Sequence, residues 1–434
     1  MDNRKQIEIF LRKHNMFYED INMAKSCDIF IEEMENGLKG NSSTLKMIPT
    51  YISLDKEVDY GKNVIVIDAG GTNFRVGLVQ FKEDKRLEID YLQKYPMPGA
   101  HGEITKDEFF EKVVEYLSPI IEKSNNIGFC FSYPTEILPN KDGKLIHFNK
   151  EVKVSDMVGE KIGEYLMKTL KRNGYFSEKR ITIINDTVAT LLGGLVNVND
   201  RKFDSYIGFI LGTGTNTCYV EENRNIKKNE LLSGSSGTGI INIESGGYGK
   251  FQRSDIDENF DEGTEAPKAQ WFEKMISGAY QGGMVLAIIK QAAHENLFKD
   301  KTAEKIERVE KLESMEIDDF CNHPYGMNIL AQCVGDEIDR EKIYFIIDAF
   351  FERAARLSAI NLAAVMLKNG KGKNPCKPVC ISVEGSTFYK SKLFKSKLDC
   401  YVADFMNRQL GIWCELVKVE NATIIGTAVA GILG

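Results

Sequence analysis

Two segments of this chain, Val64–Val79 (VIVIDAGGTNFRVGLV) and Ile207–Val220 (IGFILGTGTNTCYV), share one pattern. Each is an apolar run, a tight Gly-Thr-Asn turn and a second apolar run. That order predicts a β-hairpin whose tip faces a nucleotide or another ligand. Aligned on the shared Gly-Thr-Asn, the first copy ends its leading strand in Asp68 where the second has Leu211. A repeated unit with an acid in only one copy predicts two related lobes with divided labour.

The length agrees. At 434 residues the chain exceeds the ~250–300 at which a single hydrophobic core stops growing, so two domains are expected. Its net charge of −7 argues against nucleic acid or an anionic membrane as partner, because both demand a basic face. No apolar stretch approaches the ~18–20 residues of a membrane span, and MDNRKQIEIFLRKH lacks the apolar core of a secretory leader. A cytoplasmic protein is expected. The nine cysteines fit that compartment as reduced core thiols, many flanked by apolar residues as Cys130 and Cys218 are. Cys376 and Cys380 have too few candidate ligands nearby for a metal site.

Apolar spacing predicts helix over Ile7–Leu38, stopped by Gly37, Gly40 and Asn41, and then an extended connector over Leu45–Ile52. After the first hairpin come a strand at Leu87–Lys94, a helix at Lys106–Lys123, and strands at Ile127–Ser132 and Gly143–Phe148. A helix from Ser155, a strand at Ile181–Ile184 and a helix at Thr187–Leu195 follow. Part of this order recurs from residue 206: hairpin, irregular Gly/Ser-rich stretch, long helices near 269–298 and 341–367, a strand at Val379–Val383 and a final helix. The order is α/β with mixed strand pairing.

Several residues could carry chemistry. Gly70 and Gly71 lack a Cβ, so a polyphosphate could approach the backbone there; Thr72 and Asn73 add donors and Arg75 a cation. Asp68, at a strand end, could hold Mg²⁺ or its waters. Equally, the glycines could serve turn geometry alone. Gly212, Thr213 and Gly214 repeat the cradle without the acid. Asn185-Asp186 ends an apolar strand, where a shielded carboxylate could act as a base towards a hydroxyl; Asp186 would suit a helix N-cap just as well. Ser132, Lys150, Glu244 and Glu273 are further polar candidates.

Taken together, LKMIPTYI, IDAGGTNFRVGLV, GFCFSYP, INDTVATLL, IGFILGTGTNTCYVEE, INIESGGYG, FEKMISGAY, AARLSAINLAAVM, ISVEGSTFYK and IIGTAVA resemble, in order, the hexokinase/glucokinase family of the actin-like ATPase superfamily. The resemblance implies two actin-like (ribonuclease H-like) lobes, each a mixed β-sheet with flanking helices, around a cleft. The small lobe would be 64–200 with the C-terminal helix at about 424–434; the large lobe would be 1–63 with 201–423. It implies transfer of the ATP γ-phosphoryl group to the 6-hydroxyl of a hexose, most often glucose, with Mg²⁺. A sugar-sensing protein that has kept the fold without catalysis is the alternative, and monomer and homodimer are both open.

By position, Asp186 would be the base and Lys150 would orient the hydroxyl and offset charge, with Arg75 the catalytic cation. Ser132, Asn149, Lys150, Asn185, Asp186, Asn216, Glu244 and Glu273 would bind the sugar. Asp68 would position Mg²⁺ through water; Gly70, Gly71, Thr72, Asn73, Arg75, Gly212, Thr213 and Gly214 would hold phosphates, with Gly385 and Ser386 near the adenosine. Departures from the family pattern are Asn149 for a threonine, Ser245-Gly246-Gly247 where a bulky aromatic usually follows the acid, and one extra residue in ISVEGSTFYK.

Overall fold

The computed structural model describes residues 2–55, 58–71, 73–84, 86–148, 152–196 and 201–434. Two sheets organise them. The first has five strands in the order Arg180–Ile184, Asn126–Phe131, Lys62–Ala69, Asn73–Phe81, Leu87–Pro96. Its last three form an antiparallel meander, and the other two run parallel to Lys62–Ala69. The second sheet repeats the plan. Ser205–Leu211, Thr215–Glu222 and Thr238–Asn242 form the meander, with Val379–Glu384 and Cys414–Val417 parallel to Ser205–Leu211. The two hairpins therefore hold equivalent places, as the repeat predicts.

The unbroken apolar run of Val64–Ile67 has a physical reason. Side chains alternate across a strand, and here each face meets a different core. Ile65, Ile67 and Ala69 join Phe74, Phe109, Phe129 and Leu166 on one side. Val64 and Val66 join Val188, Leu192, Ile424 and Val429 on the other. A strand buried on both faces reads as continuous hydrophobic sequence rather than as alternation.

That second core lies between the sheets and is built by two helices that change sides. Asp186–Val196 follows the last strand of the first sheet but packs on Ser205–Leu211 of the second. Ala422–Leu433 follows the last strand of the second sheet but packs on Lys62–Ala69 and Asn126–Phe131 of the first. Neither carries a charge after Asp186, as helices buried all round require. They touch backbone to backbone: a Cβ at Gly426 would fall well inside contact distance of the Ala189 carbonyl oxygen.

The second lobe holds the largest core, crossed by the helix Glu337–Asn369. Asp336 caps its start and Gly370, at φ 62°, ends it. Its buried Arg353 is met in a fork by Asp257, at 2.8 and 2.7 Å, which leaves neither charge uncompensated.

The structure corrects several local expectations. Residues 7–38 split into helices Asn3–Lys13 and Met23–Lys39, because Asn22 caps a new helix after a short 3₁₀ turn. The connector at 45–52 contributes Ile48–Pro49, a sixth strand on the second sheet. Gly143–Phe148 shortens to Gly143–Leu145, paired with Thr135–Ile137 and bridged once to Lys161. The helix expected from Ser155 begins at Ile162, since Val154–Ser155 pairs with Ile104–Thr105. Thr238–Asn242 and Cys414–Val417 were not foreseen. All nine cysteines are unpaired; six are buried, but Cys376 and Cys400 are exposed. Among the described residues no cluster of His, Cys, Asp or Glu could hold a metal, and no helix is long and apolar enough to cross a membrane.

One ion cluster pins the N-terminal helix. Buried His14 meets Asp255 at 2.9 Å through Nδ1 and Glu295 at 2.7 Å through Nε2, and Lys13 also reaches Glu295 at 2.7 Å. Burial works to raise the Glu295 carboxyl, but hydrogen bonds from Lys13, Gln291 and His14 outweigh it and bring it from 4.5 to about 2. A depressed acid stabilises the fold fully above its unfolded value and loses that contribution as pH falls through its folded value. Urea midpoints of Glu295→Gln should therefore lie below wild type near neutral pH, with the difference closing between about pH 4.5 and 2. A gap that stays constant to pH 2 would remove Glu295 from the acid response.

Candidate active site

The first hairpin tip is organised around Asp68. Strand register sets Asp68 opposite Arg75 on one side and Cys130 on the other. Arg75 holds the carboxylate with two nitrogens, Nε at 2.7 Å and Nη2 beside the same oxygen. Asp68 is buried, which raises its carboxyl; Arg75 and the Cys130 thiol act against that, and the charge of Asp186 adds to it. Gly70 N–H closes the turn on Asn73 O at 3.1 Å. Gly71 and Asn73 complete the tip; Thr72 lies outside the described residues.

Ser132 joins this tip directly. Its N–H donates to Ala69 O at 3.2 Å, and the neighbouring Tyr133 hydroxyl donates to Gly70 O at 3.0 Å. The loop after Asn126–Phe131 is thus fastened to the hairpin. Asn149 and Lys150 fall outside the described residues.

At the start of the crossing helix the two chemical options for Asn185-Asp186 separate. Asn185 Oδ1 accepts the Thr187 N–H at 2.9 Å and is therefore the cap. Asp186 sits in the first helical turn, half-buried, where the helix dipole favours its negative charge. The Thr187 hydroxyl donates to its Oδ1 at 3.3 Å.

From the second sheet a linked row of amides and carboxylates faces this point. Asn216 Nδ2 donates to Asn242 Oδ1 at 2.8 Å and lies 3.5 Å from both Asn185 Oδ1 and Glu244 Oε1. Its own Oδ1 accepts from Thr217 N–H and Ser245 N–H, so the amide is held in one orientation. Asn242 Nδ2 donates in turn to Glu244 Oε1 at 2.7 Å. Burial raises the Glu244 carboxyl, Asn242 and Lys46 lower it, and Asp186 raises it. Asp186 thus acts electrostatically on Asp68 from one sheet and on Glu244 from the other. Glu273 accepts the Thr215 N–H at 2.9 Å beside the second hairpin.

Asn242 was missed. The signal was partial: Asn242 closes a short apolar pair, Ile240-Ile241, two residues before Glu244. The departure at Ser245 also gains a reason. Its hydroxyl is interior, 3.2 Å from Thr217 Oγ1, which Asn361 also reaches at 2.7 Å. The position is part of a buried polar contact rather than a wall beside Glu244.

The second hairpin tip is braced from behind. Gly212 N–H closes on Gly214 O at 2.9 Å, Gly278 N–H and Thr387 Oγ1 donate to Gly212 O, and Ala279 N–H donates to Thr213 O. Gly385, at φ 120°, lies so close to Leu211 O that a Cβ there would collide with it. Gly385 and exposed Ser386 therefore stand next to the hairpin, with Gly212 between them and the rest of the site.

Hexokinase family profiles match residues 10–196 and 206–433. Hexokinase-5 of Oryza sativa subsp. japonica is 31% identical over 433 residues, covering 92% of this chain and 84% of that protein. Rat hexokinase-2 is 29% identical over 422 residues, 91% of this chain but 44% of that protein, so the chain spans under half the length of this relative. Among solved structures, a Schistosoma mansoni hexokinase complexed with glucose aligns over 100% of both chains with a TM-score of 0.76 at 23% identity. A glucokinase from an Antarctic psychrotroph covers 85% of this chain and 98% of its own, with a TM-score of 0.52 at 15% identity. Both share the two-lobed actin-like fold.

Proposed function

Since the chain belongs to the hexokinase family, we propose that it transfers the γ-phosphoryl group of ATP to the 6-hydroxyl of a hexose, with glucose as the first substrate to test. The observation that best supports this is the division of work at the helix start. Asn185 takes the capping bond at 2.9 Å, which releases the adjoining Asp186 carboxylate to face the site.

In this reading the hexose lies against Asn185, Asn216, Asn242, Glu244 and Glu273, with Ser132 and Asn149 completing the ring. Carboxylates and amides suit a pyranose because each hydroxyl both donates and accepts. Asp186 takes the proton of the 6-hydroxyl as its oxygen attacks the γ-phosphorus; the bond to the β-phosphate oxygen breaks and ADP leaves with that electron pair. Lys150 orients the hydroxyl and offsets developing charge. Gly70, Gly71, Thr72, Asn73, Arg75 and Gly212–Gly214 hold the phosphates; Gly385 and Ser386 lie at the adenosine end. Asp68 offers hard oxygen donors where Asp186 already adds negative field, which fits a Mg²⁺ ion that keeps several waters. That ion supplies charge neutralisation on the phosphates.

Water competes with a sugar hydroxyl for the same phosphoryl group. Closure of the lobe 64–200, with the C-terminal helix, against 1–63 and 201–423 would exclude it. The two crossing helices supply the hinge.

The test is sugar-dependent ADP formation at fixed ATP and Mg²⁺ over a panel of glucose, mannose, fructose and an amino sugar. Activity with at least one is expected; none with any would favour a sugar-sensing protein. A finer expectation concerns Asn242→Ala. It removes the donor that orients Glu244 and the acceptor that orients Asn216, so KM for the hexose should rise about tenfold with kcat little changed. Steady-state kinetics with the sugar varied would remove Asn242 from the site if KM stayed at the wild-type value.

A further inference from the structure

The nucleotide end of the cleft carries a cation that the site described so far does not use. Cys414–Val417 runs parallel to Val379–Glu384 with Val417 opposite Ser382, so Lys418 leaves the edge strand level with Val383 and next to Glu384. In open α/β sheets ligands gather beyond the carboxyl ends of parallel strands. Lys418 and the Gly385-Ser386 turn stand at two such ends, side by side.

Lys418 is exposed, and its Nζ lies 4.9 Å from the centroid of the Tyr389 ring, within cation–π range. The ring is itself held, since its hydroxyl donates to Val383 O at 3.0 Å. Burial pushes that phenol up to about 12, so it stays a neutral donor. The strand end is braced against the second hairpin: Thr387 Oγ1 donates to Gly212 O at 2.9 Å. Glu384 connects the two sheets electrostatically. Burial raises its carboxyl, while the Gly385 N–H, Arg75 and Lys418 pull it down. Arg75 belongs to the first hairpin and Lys418 to the edge of the second sheet, so the fields of two cations from different sheets act on one carboxylate. An arriving polyphosphate would meet both.

We propose that Lys418 is a specificity-determining residue that contacts the phosphate oxygens of the bound nucleotide, with the Tyr389 ring holding its ammonium group beside the strand end until the nucleotide arrives. The proposal rests on reading the cleft as an ATP site. A lysine ammonium suits this task as a compact charge on a flexible stem that can leave an aromatic face for a phosphate oxygen. The contact is with phosphate rather than base, which makes it separable from adenosine recognition.

Equilibrium binding of ATP, ADP and adenosine to wild type, Lys418→Met and Lys418→Arg, at low and moderate salt, tests this, with glucose binding measured alongside. Lys418→Met should bind ATP and ADP about tenfold more weakly and with a shallower salt dependence. Adenosine and glucose binding should not change, and Lys418→Arg should recover most of the loss. Wild-type ATP affinity in Lys418→Met overturns the assignment. So does an equal loss for adenosine, which would mean a base contact or a structural role. A wild-type protein that binds ATP but phosphorylates no hexose overturns the proposed reaction, while the same titrations still decide Lys418. No nucleotide binding by wild type overturns both.

Discussion

Replacing Asp186 with alanine is expected to lower kcat by about 10²–10⁴-fold, the usual contribution of a positioned general base, while hexose binding stays within a few-fold of wild type. The separation follows from the hydrogen bonds at the helix start. The cap belongs to Asn185, whose Oδ1 holds the Thr187 N–H at 2.9 Å, so removing the Asp186 side chain leaves the helix its N-terminal bond. Asn216, Asn242 and Glu244 remain linked by their own bonds. Thermal unfolding should therefore show at most a small change in Tm, and calorimetric titration with glucose should still show binding. Near-normal kcat would mean the base is another group. Loss of glucose binding together with kcat would mean that Asp186 serves mainly to hold the sugar.

The second large effect is structural. Gly426→Val should destabilise the protein by about 3 kcal/mol or more, because a β-branched side chain would be forced into the backbone of the opposing helix at Ala189. Relief requires the two crossing helices to part, and these helices fill the core between the sheets with Val188, Leu192, Ile424 and Val429. Both lobes should respond, since each helix leaves one sheet and packs on the other. Urea unfolding would show a lower midpoint; an unchanged midpoint would mean the helices separate without cost. Gly426→Ala should give a smaller loss in the same direction.

Much of this was legible in the chain. The Gly-Thr-Asn echo identified two equivalent hairpins because turn residues and apolar runs are local properties. Asn185-Asp186 could be found the same way, as a polar pair closing an apolar strand. Which of the two would cap the helix could not. Asn and Asp have nearly equal capping preference, and the choice depends on how the strand delivers the chain into the first turn. Asn242 shows a different gap. Its strand lay in a stretch rich in Gly and Ser, where no clear alternation marked it, and pairing with Ile48–Pro49 and Thr215–Glu222 is what makes it a strand.

Composition and local pattern by themselves determined the duplicated α/β plan, the two hairpin tips and the acid present in only one of them. Tertiary structure alone decided that the helices after each sheet exchange sides, that Asn185 rather than Asp186 caps, that Ser245 turns inward, and that Lys418 leaves its strand over the Tyr389 ring. The physical reason is range. Periodicity and turn chemistry act over a few residues, whereas hydrogen-bond direction, burial and the field of one charge on another depend on segments distant in sequence being brought within a few ångströms.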